Sequence, residues 1–88
     1  MKFRFSGNLL RYVEFHREVE VPGATVEEGV VNLSEKFPGF GRIIHDSEGH
    51  IRVLHRLHLN GEILNPDDYG QPVKSEDVIA VLTPIAGG

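Results

Sequence analysis

The chain has 88 residues, no cysteine, and thirteen Asp and Glu against nine Lys and Arg, for a net charge of −4. A single hydrophobic core usually serves about 50–200 residues, so two domains are excluded; the missing cysteine excludes a disulfide framework, a thiolate zinc site, an iron–sulfur cluster and a cysteine nucleophile. The acidic balance argues against binding nucleic acid or an anionic membrane, and the lack of a leader-like segment or of a spanning run of about 18 apolar residues points to the cytoplasm.

In chain order, Met1-Lys2-Phe3-Arg4-Phe5 alternates apolar and charged residues, the period of a strand with one buried face, and Phe3 and Phe5 are expected inside. Ser6-Gly7-Asn8 interrupts it with turn chemistry, and residues 9–13 read as a short irregular or helical turn. A second alternation over residues 15–21 sets Val19 and Val21 on one face and His16, Glu18 and Glu20 on the other, a hairpin partner for the first strand. Pro22-Gly23 stops it. Thr25-Val26-Glu27-Glu28 then has the spacing of a capping box, in which the Thr25 hydroxyl accepts from the Glu28 N–H and the Glu28 carboxylate accepts from the Thr25 N–H. Val26, Val30, Leu33 and Phe37 form one apolar stripe of a helix over residues 26–37, weakened by about 1 kcal/mol at Gly29 and ended by Pro38-Gly39.

Residues 38–53 read as an irregular connecting excursion with an exposed turn at Asp46-Ser47-Glu48-Gly49. Residues 56–59 alternate again and meet Asn60-Gly61, a strong two-residue hairpin signal, from which residues 62–64 return. After a polar loop through residues 65–72, residues 77–83 form a strand apolar enough to be central in a sheet. This order describes an α+β domain, with a helix crossing one face of a four- or five-stranded mixed sheet and the last strand beside the first.

Five histidines invite a metal reading, but His55 and His58 are three apart and so face opposite ways on a strand, while His45 and His50 flank a turn. No metal site is expected, and exposed histidines are the simpler reading. Ser6, Ser34, Ser47 and Ser75 stand without a nucleophile-elbow motif, and Gly39-Phe40-Gly41 lacks the third glycine and the preceding strand of a phosphate loop. Glu27-Glu28 belongs to a helix start, where negative charge is favourable, and Asp67-Asp68 and Glu76-Asp77 read as solvated loop charges. No catalytic residue is expected.

The C-terminus remains. Ile85-Ala86-Gly87-Gly88 follows directly on a central strand and closes on a carboxylate. Extended from Thr83, this tail spans roughly 17 Å, enough to enter a pocket on another protein, and two final glycines let the backbone lie in a narrow channel. The alternative is a frayed tail without function. Alternation also outlines a partner patch: with Ile79 and Val81 toward the helix, Val78, Ala80 and Leu82 face outward, joined by His58 if Leu57 and Leu59 are inside. The opposite parity, or a covering loop, would remove it.

The residues just quoted resemble the ThiS/MoaD family of ubiquitin-like sulfur carriers over the whole chain. The likeness is carried by the amino-terminal hairpin, the helix begun at Thr25-Val26-Glu27-Glu28, the hairpin Leu57-His58-Leu59-Asn60-Gly61-Glu62, and above all by Asp77-Val78-Ile79-Ala80-Val81-Leu82-Thr83-Pro84-Ile85-Ala86-Gly87-Gly88. That closing pattern is an acidic residue, an apolar strand, a proline, a small apolar pair and Gly-Gly. One departure is Lys74-Ser75-Glu76-Asp77, where the family commonly has a glycine before the acidic residue.

The resemblance implies a ubiquitin-like β-grasp domain over residues 1–83, with a mixed four- to five-stranded sheet, one main helix across one face, and a flexible tail over residues 84–88. It implies a protein that is not itself an enzyme. Its Gly88 carboxylate would be adenylated by an E1-like enzyme that holds ATP and magnesium, with Ile85, Ala86, Gly87 and Gly88 entering that enzyme's active site. A persulfide or sulfide donor would then convert Gly88 to a thiocarboxylate, which passes sulfur to an acceptor synthase in cysteine, molybdopterin or thiosugar biosynthesis. The MoaD-like and cysteine-biosynthesis carriers are nearer in length than the thiamine type. A second implication is a ubiquitin-like modifier or interaction module conjugated through Gly88.

Overall fold

A computed structural model describes residues 1–52 and 55–82. Lys2–Arg4 (β1) pairs antiparallel with Glu18–Glu20 (β2), and a 3-10 helix, Gly7–Val13, lies between them in the chain. Two α-helices follow, Val26–Lys36 (α1) and Pro38–Ile44 (α2). Then come Arg56–Leu59 (β3), Glu62–Leu64 (β4), a 3-10 turn at Pro66–Asp68, and Val78–Leu82 (β5). The strands make one five-stranded mixed sheet in the order β2-β1-β5-β3-β4. β5 is therefore central, parallel to β1 and antiparallel to β3.

Strand alternation builds the core. Phe3 stands opposite Ile79, and Leu57 opposite Val81, and all four are fully buried on the sheet face that meets Val26, Val30 and Leu33 of α1. Burying side chains of this size contributes roughly 1.5–3 kcal/mol each. The helix approaches closely because Gly29 has no side chain: a Cβ there would stand 2.7 Å from the Met1 Cε and 3.1 Å from the Phe3 ring. Gly29 thus serves packing, beyond the loss of helix propensity that the sequence suggests.

The sequence reading needs correction where packing overrides local pattern. Residues 38–44 are not irregular. Pro38 occupies the first turn of α2, where its missing N–H has no helical partner to lose, and Phe40 and Ile44 are fully buried. Gly41 lets α2 press against α1, since a Cβ there would be 2.9 Å from the Cβ of Ser34. Phe40 also meets the Phe5 ring edge-on at 5.5 Å. A short second α-helix thus stands beside the main helix α1 and packs against it.

The second strand is shorter than its alternation, covering Glu18–Glu20 alone, because Glu14 and Phe15 adopt positive φ (54° and 63°) and turn the chain. The α1 cap forms at Thr25, whose hydroxyl accepts from the Glu28 N–H at 3.1 Å; the Glu28 carboxylate reaches one residue further back, to the Ala24 N–H at 3.0 Å. His55 is not exposed: it is buried, with Nε2 2.8 Å from the Ile43 carbonyl oxygen that accepts from it. The carboxylates of Asp68 and Asp77 also do more than face solvent. Asp68 accepts from the Asn65 N–H at 3.0 Å, and Asp77 from the Lys74 N–H at 2.7 Å. This second bond closes the Lys74-to-Asp77 turn without the glycine that the family commonly has there.

Candidate functional site

β5 presents the candidate surface and leads into residues 83–88. With Ile79 and Val81 turned to the helices, Val78 and Ala80 lie half-buried on the opposite face and Leu82 is 38% exposed there. The register then sets Arg4 beside Ala80 on one side and His58 beside it on the other, with Ile63 next to His58. Arg56 stands opposite Leu82. Leu57 is buried inside, so His58 shares the outer face and is half-buried in it. The structure thus brings His58, Val78, Ala80 and Leu82 together.

It also adds members that the sequence reading left out. Ile63 is 57% exposed on the same face; its alternation with buried Leu64 was the available signal. Arg4 donates from Nε to Glu18 Oε2 at 3.0 Å, so a charged pair borders the apolar centre on the β2 side. Ile85, Ala86, Gly87 and Gly88, as well as the 83/84 domain boundary, lie outside the described residues.

The start of β5 is fixed by a polar clamp. Asn60 and Gly61 form the hairpin turn with positive φ at both positions (50° and 90°), the geometry that Asn-Gly favours. Asn60 then ties the β3–β4 hairpin to β5: its Oδ1 accepts from the Val78 N–H at 3.0 Å, its Nδ2 donates to Asp77 Oδ1 at 3.1 Å, and its N–H donates to the Val78 carbonyl at 2.8 Å. The Lys74 N–H foremost, and then the Asn60 side chain, hold the Asp77 carboxyl below the ordinary carboxylate value.

Elsewhere, a shallow cleft of about 250 Å³ is lined by Glu27, Val31, His45, His50, Ile51 and Tyr69, and burial pushes the Tyr69 hydroxyl above its ordinary value. Among the described residues no group of three or more His, Cys, Asp or Glu is arranged to hold a metal ion. Nor is any helix among them long and apolar enough to cross a membrane.

Residues 4–88 match the profile of the ThiS family. The chain belongs to the ThiS family. No curated protein matches the sequence. Among solved structures it is similar to SAMP1 from Haloferax volcanii, with a TM-score of 0.84 and 22% identity over 99% of this chain and 97% of that one. It is likewise similar to a chain of the Amycolatopsis orientalis BexX/CysO complex, with a TM-score of 0.85 and 22% identity over 99% of this chain and 98% of that one. Urm1 from Sulfolobus solfataricus superposes with a TM-score of 0.76 at 18% identity, covering 94% of this chain and 99% of that one. These likenesses show the ubiquitin-like β-grasp fold, and the family match makes the chain a ThiS-family protein.

Proposed function

We propose that this protein is a sulfur carrier whose reactive atom is the carbonyl carbon of Gly88. The observation that carries the reading is the extent of the family match, which runs through residue 88 and so takes in the Pro84-Ile85-Ala86-Gly87-Gly88 tail. A carboxylate is a poor electrophile and must first be activated. The Gly88 carboxylate attacks the α-phosphate of ATP on an E1-like enzyme, which holds the nucleotide and magnesium; pyrophosphate leaves and an acyl adenylate forms. Sulfide displaces AMP to give a Gly88 thiocarboxylate directly; a persulfide donor displaces AMP to give an acyl disulfide, which a thiol then cleaves, releasing the thiocarboxylate and leaving a disulfide. An acceptor synthase takes the sulfur from the thiocarboxylate, and oxygen from water or the acceptor restores the carboxylate. The chain is the protein co-substrate of these steps and performs none of them.

The face formed by His58, Val78, Ala80, Leu82 and Ile63 is the surface on which such enzymes dock while Ile85, Ala86, Gly87 and Gly88 enter the active site. A slender tail lets the partner close around it and keep water from the acyl adenylate. Two similar proteins fit this setting by name: one was solved as the BexX/CysO complex, and another, from Pyrococcus furiosus, is a putative molybdopterin converting factor, subunit 1.

The test is intact mass after incubation with an E1-like adenylating enzyme from the same genome, ATP and a sulfide or persulfide source. Exchange of one oxygen for sulfur is expected, and its loss on deletion of Gly87 and Gly88. The likeness to a small archaeal modifier protein from Methanosarcina acetivorans favours a second reading, in which Gly88 is joined to lysines of other proteins. Lysine conjugates with no sulfur-bearing species would select it.

A further inference from the structure

Phe15 is held in a conformation that phenylalanine rarely adopts, and its ring gains little from the chain that holds it. Its φ is +63° and that of Glu14 is +54°, left-handed values that favour Gly, Asn or Asp. The turn is nevertheless fixed. The Phe15 N–H donates to the Leu10 carbonyl at 2.8 Å, the His16 N–H to the Val13 carbonyl at 3.0 Å, and the Phe5 N–H to the Arg17 carbonyl at 2.9 Å; Val13, two residues before Phe15, is fully buried. A strained aromatic residue inside a protein would bury its ring. This one is 72% exposed. Strain of this kind, held by surrounding bonds, concentrates at sites of function.

Charge supplies a second, independent observation. β1 and β5 run parallel, so Arg4, the residues between β1 and β2, and Arg56 opposite Leu82 all lie at the end of the sheet from which residues 83–88 follow. That end carries exposed Arg4, Arg11, Arg17 and Arg56 against Glu14 and Glu18. Arg4 is paired with Glu18, and among the described residues the other three arginines have no ion pair. The opposite end, around Asn60-Gly61 and the turn before β5, has Glu20, Glu62, Glu76 and Asp77 against Lys2 and Lys74. A chain of net charge −4 thus leads with its basic end.

We infer that the end of the sheet bearing Phe15 and its arginines is a docking surface for a protein with an apolar socket rimmed by carboxylates, the same protein that receives residues 85–88. This rests on the tail-activation reading above and extends the contact beyond the outer sheet face to the turn before β2. The arginines steer the approach so that this end of the sheet meets the partner first, and Phe15 fills the socket as the anchor. Its backbone strain is the cost of holding that ring outward.

The test uses the full chain, its Phe15→Asn and Arg17→Glu variants, and the purified E1-like adenylating enzyme from the same genome. Binding is read by calorimetry at low and high salt, and activation by ATP–pyrophosphate exchange. Asn suits the left-handed turn, so Phe15→Asn is expected to raise Tm while weakening binding and raising KM by about tenfold or more, with kcat nearly unchanged. Arg17→Glu is expected to weaken binding and flatten its salt dependence. A purely structural ring would lower Tm and leave KM alone, and that result overturns the inference. So does unchanged binding by both variants. Tighter binding of the unaltered chain to single-stranded RNA or to phosphatidylglycerol vesicles, or a Phe15-dependent homodimer in sedimentation, assigns the surface elsewhere and overturns it too. Tight binding of the unaltered chain without any sulfur-bearing product sinks the carrier reading alone, and the variants then judge the docking surface by affinity.

Discussion

A Cβ on Gly41 would stand 2.9 Å from the Cβ of Ser34 and 3.5 Å from its Cα, atoms that no rotamer change can move aside. Helix propensity alone favours Gly41→Ala by about 1 kcal/mol. Overpacking at a helix contact costs about 1–3 kcal/mol, so the substitution is expected to destabilise, read as a lower urea midpoint with unchanged slope. Asp77 yields a pH prediction. Its carboxyl lies below the ordinary 3.8, foremost because the Lys74 N–H donates to it, so the unfolded chain takes up this proton first as pH falls. The stability it confers is complete well above 3.8 and is lost as pH drops through the lower folded value. Asp46 behaves in the same way, held low foremost by the His50 N–H. Asp77→Asn is accordingly expected to lower stability at neutral pH and to flatten its fall between about pH 5 and pH 3, measured by urea midpoints across that range. The acidic side chain was legible in the sequence. Its second hydrogen-bond partner was not, because Asn60 is 17 residues away.

At the scale of elements, α2 is the piece that periodicity misses. Seven residues beginning Pro38-Gly39 and containing Gly41 read as broken chain, yet Phe40 and Ile44 are fully buried and the helix packs on α1. Short helices draw their stability from tertiary packing, so their local signal is weak. Phe40→Ala is expected to cost about 3–5 kcal/mol, a large part of the 5–15 kcal/mol typical of a domain, and to be seen as loss of a cooperative transition at moderate urea. α1 shows the contrary case: its cap and apolar stripe were readable because Thr25 and Glu28 are local partners of the same turn. Thr25→Ala is expected to cost about 1 kcal/mol, or a fall in Tm of about 4–8 °C. β2 lies between these cases. Val19 and Val21 were correctly set inside, but nothing local announced that Glu14 and Phe15 would turn with positive φ.

At the scale of the whole molecule, the core cluster among the described residues runs from Met1 to Val81. Gly87 and Gly88 have no side chains to bury, so removing them is expected to leave the thermal midpoint unchanged while abolishing adenylation, a separation that calorimetry and pyrophosphate exchange would show together. The sequence by itself determined the strand alternation, the α1 stripe, the Asn60-Gly61 hairpin and the closing glycines, since each depends on neighbours within a few residues. It also implied β5 as a central strand, because a run apolar on both faces has no solvent side to offer. Only the tertiary structure decided which residues meet across strands far apart in sequence: that Arg4, Ala80, His58 and Ile63 form one row, that α2 exists, that Phe15 stands bare, and that the arginines gather where β5 ends. Those features arise from register and packing between distant segments, and no local pattern encodes them.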